Sequence, residues 1–175
     1  MEFRLPGSEA DGPTLRLDHE EFAYAGKFVM SGTGKSVARD DGTLVGAVAF
    51  SEDHTDPETV HLRYVTVREC RRGEGIGPRL LRFTAAELSE AYETVEIAVN
   101  NPMAYEACYR AGFAYTGEQA GIAELRMSYR PDDRAGQRYR SGFEQFRERD
   151  LPPEHEAVCD RHEKGEPPAV VDVPA

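Results

Sequence analysis

The chain has 175 residues, enough for one domain with a sizeable core, and 32 acidic against 21 basic residues leave it at −11. That surface disfavours nucleic acid and anionic membranes as partners, and no apolar run approaches the roughly 20 residues of a membrane span. The start MEFRLPGSEADG lacks a charged-then-apolar signal layout, so a cytoplasmic location is expected, and three scattered cysteines (Cys70, Cys108, Cys159) argue against a disulfide framework.

Residues 1–13, rich in Pro, Gly and acids, read as a flexible end. LRL at 15–17 can open a strand, followed by a short candidate helix in DHEEFAYAGKFVM. KSVAR, DDG and TLVGAVAF (35–50) make a hairpin signal, β-type residues on either side of an Asp-Gly turn. VHLRYVTV (60–67) is the next strand, and its even spacing puts His61, Arg63, Val65 and Val67 on one face. From Pro78 the period becomes helical, with Leu81, Ala85 and Leu88 on one stripe. TVEIAVN (94–100) is a strand, then NPMAYEACYRAGF a helix with Asn101 as N-cap, Pro102 at its first position and Gly112 at its stop. FAYTG and IAELRMSYR close with an antiparallel pair. After Pro131 the composition changes: 134–149 and 153–163 read as two polar helices.

These elements predict an α/β fold of the α+β type, a mixed and mostly antiparallel twisted sheet flanked by helices, with a C-terminal helical extension. The expected division is a flexible end (1–13), a main domain (14–130) and the extension (131–175).

Two glycine-rich stretches compete for an anion. SGTGKS (31–36) resembles the end of a phosphate-binding GxxxxGK[ST] loop, but Val29 stands where the first glycine belongs and strand rather than helix follows. A turn before a hairpin strand fits it better. RRGEGIG (71–77) lies between a strand and a helix, where successive backbone N–H groups and the helix dipole converge on negative charge. Residues 68–82 also carry Arg68, Arg71, Arg72, Arg79 and Arg82 against Glu69 and Glu74, a basic island in an acidic chain. Eighteen arginines against three lysines fit either a high-salt, halophilic cytoplasm or a coding bias.

Arg72-Gly73-Glu74-Gly75-Ile76-Gly77 fits R/Q-x-x-G-x-G/A, and helix, strand, N-x-x-A and GF follow it. Over residues 35–130 the chain thereby resembles the GNAT superfamily of acetyl-CoA-dependent N-acetyltransferases. The resemblance implies an acetyl-CoA cosubstrate whose pyrophosphate rests on Arg72, Gly73, Glu74, Gly75, Ile76 and Gly77, with charge added by Arg71 and Arg79. It implies that backbone groups of Val65, Thr66 and Val67 hold the pantetheine arm, the Val67 N–H polarising the thioester carbonyl, and that Asn101 and Tyr105 contact the coenzyme. His61 sits where some members carry a Glu base; a packed strand histidine is the alternative, and Glu52, Asp53 and His54 are further base candidates. Many members have a tyrosine acid five residues before the Phe of GF; here that position is Cys108, with Tyr109 one step on.

The implied activity is acetyl transfer to a primary amine by direct attack in a ternary complex, by a monomer or homodimer and without a metal. The alternative is a non-catalytic acyl-CoA-binding or sensing module that meets partners through its C-terminal helices. His155, Cys159 and His162, at i, i+4 and i+7, share one helix face as a surface feature or as metal ligands.

Overall fold

The computed structural model describes residues 1–7, 13–133 and 136–175. Residues 8–12 of the expected flexible end, and 134 and 135 at the start of the extension's first expected helix, lie outside the described residues. The fold is mixed α/β, with seven mostly antiparallel strands and flanking helices. Two compact units divide inside one strand: residues 1–95 with 172–175, and residues 96–171.

In the first unit, β1 (Glu2–Arg4), β2 (Gly34–Asp40), β3 (Thr43–Glu52) and β4 (Thr59–Val67) pair antiparallel in chain order. The Asp-Gly signal is a two-residue hairpin turn, Asp41 at φ 46° and Gly42 at φ 78°, the left-handed pair that matches strand twist. Residues 2–4, expected within a flexible end, instead form β1, because β2 offers an unpaired edge and Phe3 finds the Phe83 ring at 5.8 Å. Leu15–Leu17 is not a strand. Leu15 donates to the Phe28 carbonyl at 2.9 Å, and both leucines pack on a cluster of Phe28, Val37, Ala47 and Ala49 on one sheet face. In place of the expected helix there is a 3-10 turn, Ala25–Lys27, that lowers Phe28 into this cluster; its full burial contributes about 2–3 kcal/mol.

The opposite face of this sheet carries α1 (Ile76–Leu88). Its buried Thr84 hydroxyl meets the Ser36 hydroxyl of β2 at 2.8 Å, and a Cβ on Gly46 would stand 3.2 Å from Leu80 Cδ2, so glycine at 46 sets how closely helix and sheet approach. The helix starts two residues before Pro78, inside the glycine run.

β4 holds one extra residue. Tyr64 pairs with Ala49 and Leu62 with Phe50, which leaves Arg63 as a bulge. The bulge resets the alternation, so the expected shared face of His61, Val65 and Val67 does not form. His61 lies on the face of Tyr64 and Thr66, whereas Val65 and Val67 face α1, where Val67 Cγ2 is 3.7 Å from the Cβ position of Gly77.

In the second unit β5 (Thr94–Val99), β7 (Glu124–Tyr129) and β6 (Phe113–Ala120) pair antiparallel in that spatial order, with α2 (Pro102–Arg110), α3 (Gly136–Arg147) and α4 (Pro153–Arg161). Asn101 caps α2 by accepting from the Ala104 N–H at 2.8 Å, and Gly112 leaves the helix at φ 100°. The polar tail helices have an apolar side. Tyr139, Phe143 and Phe146 of α3 surround Tyr105 of α2, whose hydroxyl donates to the Tyr139 carbonyl at 2.9 Å. Gly142 makes room, since a Cβ there would lie 2.2 Å from the Tyr105 hydroxyl oxygen.

Gly142→Ala gains about 1 kcal/mol of helix propensity but overpacks a fully buried ring, at about 3 kcal/mol. The expected net loss lowers Tm by about 4–8 °C in a calorimetric melt; an unchanged Tm contradicts the packing described.

Candidate functional site

The first unit offers a helix mouth at the end of β4. Arg68 follows the strand and ties it down: its Nε and Nη2 donate to the Leu44 carbonyl at 3.2 and 3.1 Å, its Nη1 pairs with Glu21, and it stacks on Phe22. A 3-10 turn, Glu69–Arg71, then leads into the glycines. Gly73 (φ 85°) and Gly75 (φ 74°) occupy left-handed backbone that costs any other L-residue about 1–2 kcal/mol, and no atom lies within 4 Å of a Cβ built at either. Gly75 is the N-cap of α1 and has no side chain to cap with, so the first N–H groups of the helix have no intrahelical or side-chain acceptor.

The arginines around this mouth have distinct jobs. Arg79 donates from Nε to the Gly75 carbonyl at 3.2 Å and from Nη2 to the Glu74 carbonyl at 3.3 Å. In a trans peptide the N–H points opposite the C=O, so these bonds turn the Gly75 and Ile76 N–H groups away from Arg79. Arg71 is held by Glu74 at 2.8 Å and Asp40 at 3.0 Å, and those carboxylates raise its pKa. Arg72 is exposed. Of the expected charge donors, Arg71 and Arg79 thus brace the loop. Pro78 has no N–H, so the cradle is Gly73 through Gly77.

Upstream, Val65, Thr66 and Val67 pair with Val48, Ala47 and Gly46 of β3. The Thr66 hydroxyl is buried without a hydrogen-bond partner. On the same face, His61 Nε2 lies 2.8 Å from Asp53 Oδ2. The other oxygen of Asp53 accepts from the Thr55 hydroxyl (2.7 Å), the Thr55 N–H (2.8 Å) and the Asp56 N–H (3.1 Å). The Thr55 bonds, side chain first and then backbone, followed by the His61 contact, hold the Asp53 carboxyl well below its ordinary range. A carboxylate only accepts, so Nε2 carries the hydrogen and, in the neutral ring, the basic lone pair is on Nδ1. Asp53, weighed from sequence as a base itself, is the group that orients His61. Glu52 accepts from the Tyr92 hydroxyl at 2.6 Å, and His54 is exposed.

In SGTGKS the lysine turns inward. Lys35 is fully buried at the start of β2 and its Nζ donates to the Met30 carbonyl (3.1 Å), the Thr33 carbonyl (2.8 Å) and the Thr33 hydroxyl (2.6 Å), while burial lowers its pKa. The lysine closes its own turn.

The second unit holds the other expected residues. The Asn101 side chain caps α2. Tyr105, expected against the coenzyme, is fully buried with its hydroxyl committed to Tyr139, and burial raises its pKa. Cys108 is buried, which pushes its thiol up to about 12. Tyr109 is buried with its ring 3.9 Å from that of Tyr139. The trio on the tail separates: Cys159 is buried, His162 meets Glu106 at 2.7 Å and stacks on Phe143, and among the described residues no three metal-capable side chains come together. No described helix is long and apolar enough to cross a membrane.

The sequence profile of the acetyltransferase (GNAT) family matches residues 5–113, which takes in β2 through α2 and the helix mouth between them. The chain belongs to this family. No curated protein matches it. Among solved structures, this GNAT chain is similar to an IAA acetyltransferase from Bacillus cereus (23% identity over 55% of this chain and 76% of that one, TM-score 0.44). It is also similar to an acetyltransferase from Bacillus subtilis in complex with CoA (16%, 56% and 76%, TM-score 0.48). A third is a Salmonella typhimurium protein with its cofactor acetyl-CoA (20%, 59% and 68%, TM-score 0.47). For this GNAT chain the match places the glycine run in the part of the sequence shared with the family, and leaves α3 and α4 outside it.

Because the folded-state pKa of Asp53 is depressed, its contribution to stability is complete above the unfolded value of about 4 and is lost as pH falls through the folded value. Asp53→Asn is expected to lower Tm at pH 7 and to converge on the parent protein as pH falls below about 4. A gap between the two melting curves that stays constant down to pH 2 removes the carboxylate from this role.

Proposed function

We propose that this GNAT protein transfers an acetyl group from acetyl-CoA to a primary amine by direct attack in a ternary complex. The observation that carries the proposal is the uncapped mouth of α1, where Gly73 and Gly75 border open space and Arg79 holds the Glu74 and Gly75 carbonyls back. Such a mouth suits the diphosphate of CoA, and family membership supports the same assignment. Exposed Arg72 adds charge at its rim, and the backbone of Val65, Thr66 and Val67 follows the pantetheine arm.

In the reaction the amine nitrogen bonds to the thioester carbonyl carbon and the C–S bond breaks. The Val67 N–H stabilises the negative charge that develops on the carbonyl oxygen. His61, oriented by Asp53, receives the amine proton on Nδ1, directly or through water. The CoA thiolate leaves and takes a proton from water; a thiol pushed up to about 12, as at Cys108, is a weak donor. No covalent enzyme intermediate is required. An acidic, arginine-rich surface suits a saline cytoplasm, so low and molar salt are both informative assay conditions.

Isothermal titration should show acetyl-CoA uptake by the parent protein and about tenfold weaker uptake by Gly75→Ala, which strains φ and fills the open space. No uptake by the parent protein in either salt regime overturns the reading. His61→Ala should retain uptake while CoA release with an amine panel falls by about 100-fold or more. Uptake without release by the parent protein identifies a binding module instead of an enzyme.

A further inference from the structure

The sheet face that carries His61 also says which amine suits it, given the acetyl-transfer reading above. Along this face the order is Asp53, then His61 opposite Ser51, then the bulged Arg63, then Tyr64 opposite Ala49. Arg63 is exposed, and its Nε donates to the Ser51 hydroxyl at 2.8 Å, which brings the guanidinium beside the partner residue of His61. One of its five N–H groups is used there, leaving the four on Nη1 and Nη2 to form a planar fork. Among the described residues no carboxylate pairs with Arg63, in a protein with 32 acidic residues, eleven more than its basic ones.

The acids nearest His61 in the chain are already engaged. Asp53 accepts four hydrogen bonds across its two oxygens. Asp56 accepts from the Glu58 N–H at 3.1 Å and the Thr59 hydroxyl at 2.7 Å. Glu52 pairs opposite Val60 and so lies on the other face. A cationic polyamine gains little from these groups, whereas an anion meets Arg63 and, farther along, exposed Lys27, whose Nζ stands 5.6 Å over the Tyr64 ring. Beyond Arg63 the surface is aromatic. Tyr24 rests against Tyr64, ring centroids 5.9 Å apart, yet stays 57% exposed and adopts φ 58°, a left-handed conformation rare for a bulky residue.

We propose that the acceptor is a free amino acid, with its carboxylate bound by the fork of Arg63, its amine presented to His61 and its side chain laid on Tyr24 and Tyr64. An α-amino acid fits because Arg63 and His61 are two residues apart on one strand and share Ser51 as a neighbour, so carboxylate and amine need only a short separation. The Arg63 bulge thereby sets specificity, since regular pairing would place His61 on the α1 face with Val65 and Val67.

The test compares phenylalanine with phenethylamine, which differ only in the carboxylate, by CoA release from acetyl-CoA with the full-length chain. The parent protein should prefer phenylalanine by at least about tenfold in kcat/KM, mostly through KM, the size of effect expected for a charge-assisted bidentate contact. In Arg63→Gln the ratio should fall toward one, and in Arg63→Lys it should stay well below that of the parent, because an ammonium lacks the planar fork. Thermal stabilisation by acetyl-CoA, measured on each variant, reports folding and coenzyme uptake separately. Equal or greater turnover of phenethylamine, a ratio insensitive to Arg63→Gln, or no turnover of either amine while acetyl-CoA still stabilises the chain overturns the amino-acid assignment and leaves coenzyme binding standing. Absence of stabilisation by acetyl-CoA overturns the underlying reading instead.

Discussion

The first unit of this protein depends on an uncapped helix start. A helix that begins at Ile76 leaves its first N–H groups without acceptors, and most proteins relieve that deficit with a Ser, Thr, Asp or Asn side chain. Here the N-cap is a glycine in left-handed backbone, which supplies no side chain and leaves open space. The arrangement persists because the neighbours hold it. Arg68 anchors the end of β4 to Leu44 and Glu21, Arg71 bridges Asp40 and Glu74, and Arg79 draws the Glu74 and Gly75 carbonyls to one side. Three arginines that look like loose positive charge in the sequence are the braces of the turn.

Strand β4 separates two duties with one inserted residue. Beyond the bulge, Val65 and Val67 face α1 and connect the strand to the helix mouth. Before it, His61 looks to the opposite face, where Asp53 sets its tautomer and Arg63, Tyr64 and Tyr24 form the surroundings. Asp53 is itself fixed by the turn it closes, so the orientation of the histidine follows from the loop between β3 and β4. One strand thus presents His61 and Tyr64 on one face and Val65 and Val67 on the other.

The second unit shows how a polar tail acquires a core. α3 and α4 have little apolar content in sequence, but Tyr139, Phe143 and Phe146 recur on one side of α3 and enclose Tyr105, while Gly142 admits its hydroxyl. His162 joins the same stack and meets Glu106 of α2. These residues tie the segment beyond the family match to the part within it.

Local chemistry made much of this legible from sequence. The Asp-Gly hairpin, the Asn101-Pro102 start and Gly112 stop of α2, the closing antiparallel pair and the glycine run between strand and helix all rest on interactions within a few residues, which sequence spacing encodes directly. The misreadings have a common origin in distant partners. Residues 2–4 became a strand because β2 had an edge to offer, and Leu15 and Leu17 cover a sheet face without pairing into it. His61 changed faces because a bulge depends on cross-strand register, which alternation along one strand does not reveal. Separately from these, Arg71, Arg79 and Tyr105, expected at the coenzyme, give polar groups to partners that only the folded chain brings near: a carboxylate 31 residues away, carbonyls across a turn, and a backbone oxygen 34 residues on. Sequence decided which residues have the chemistry to bind an anion or carry a proton; tertiary structure decided which of them give their polar groups to the fold, because hydrogen-bonding capacity is finite and packing assigns it.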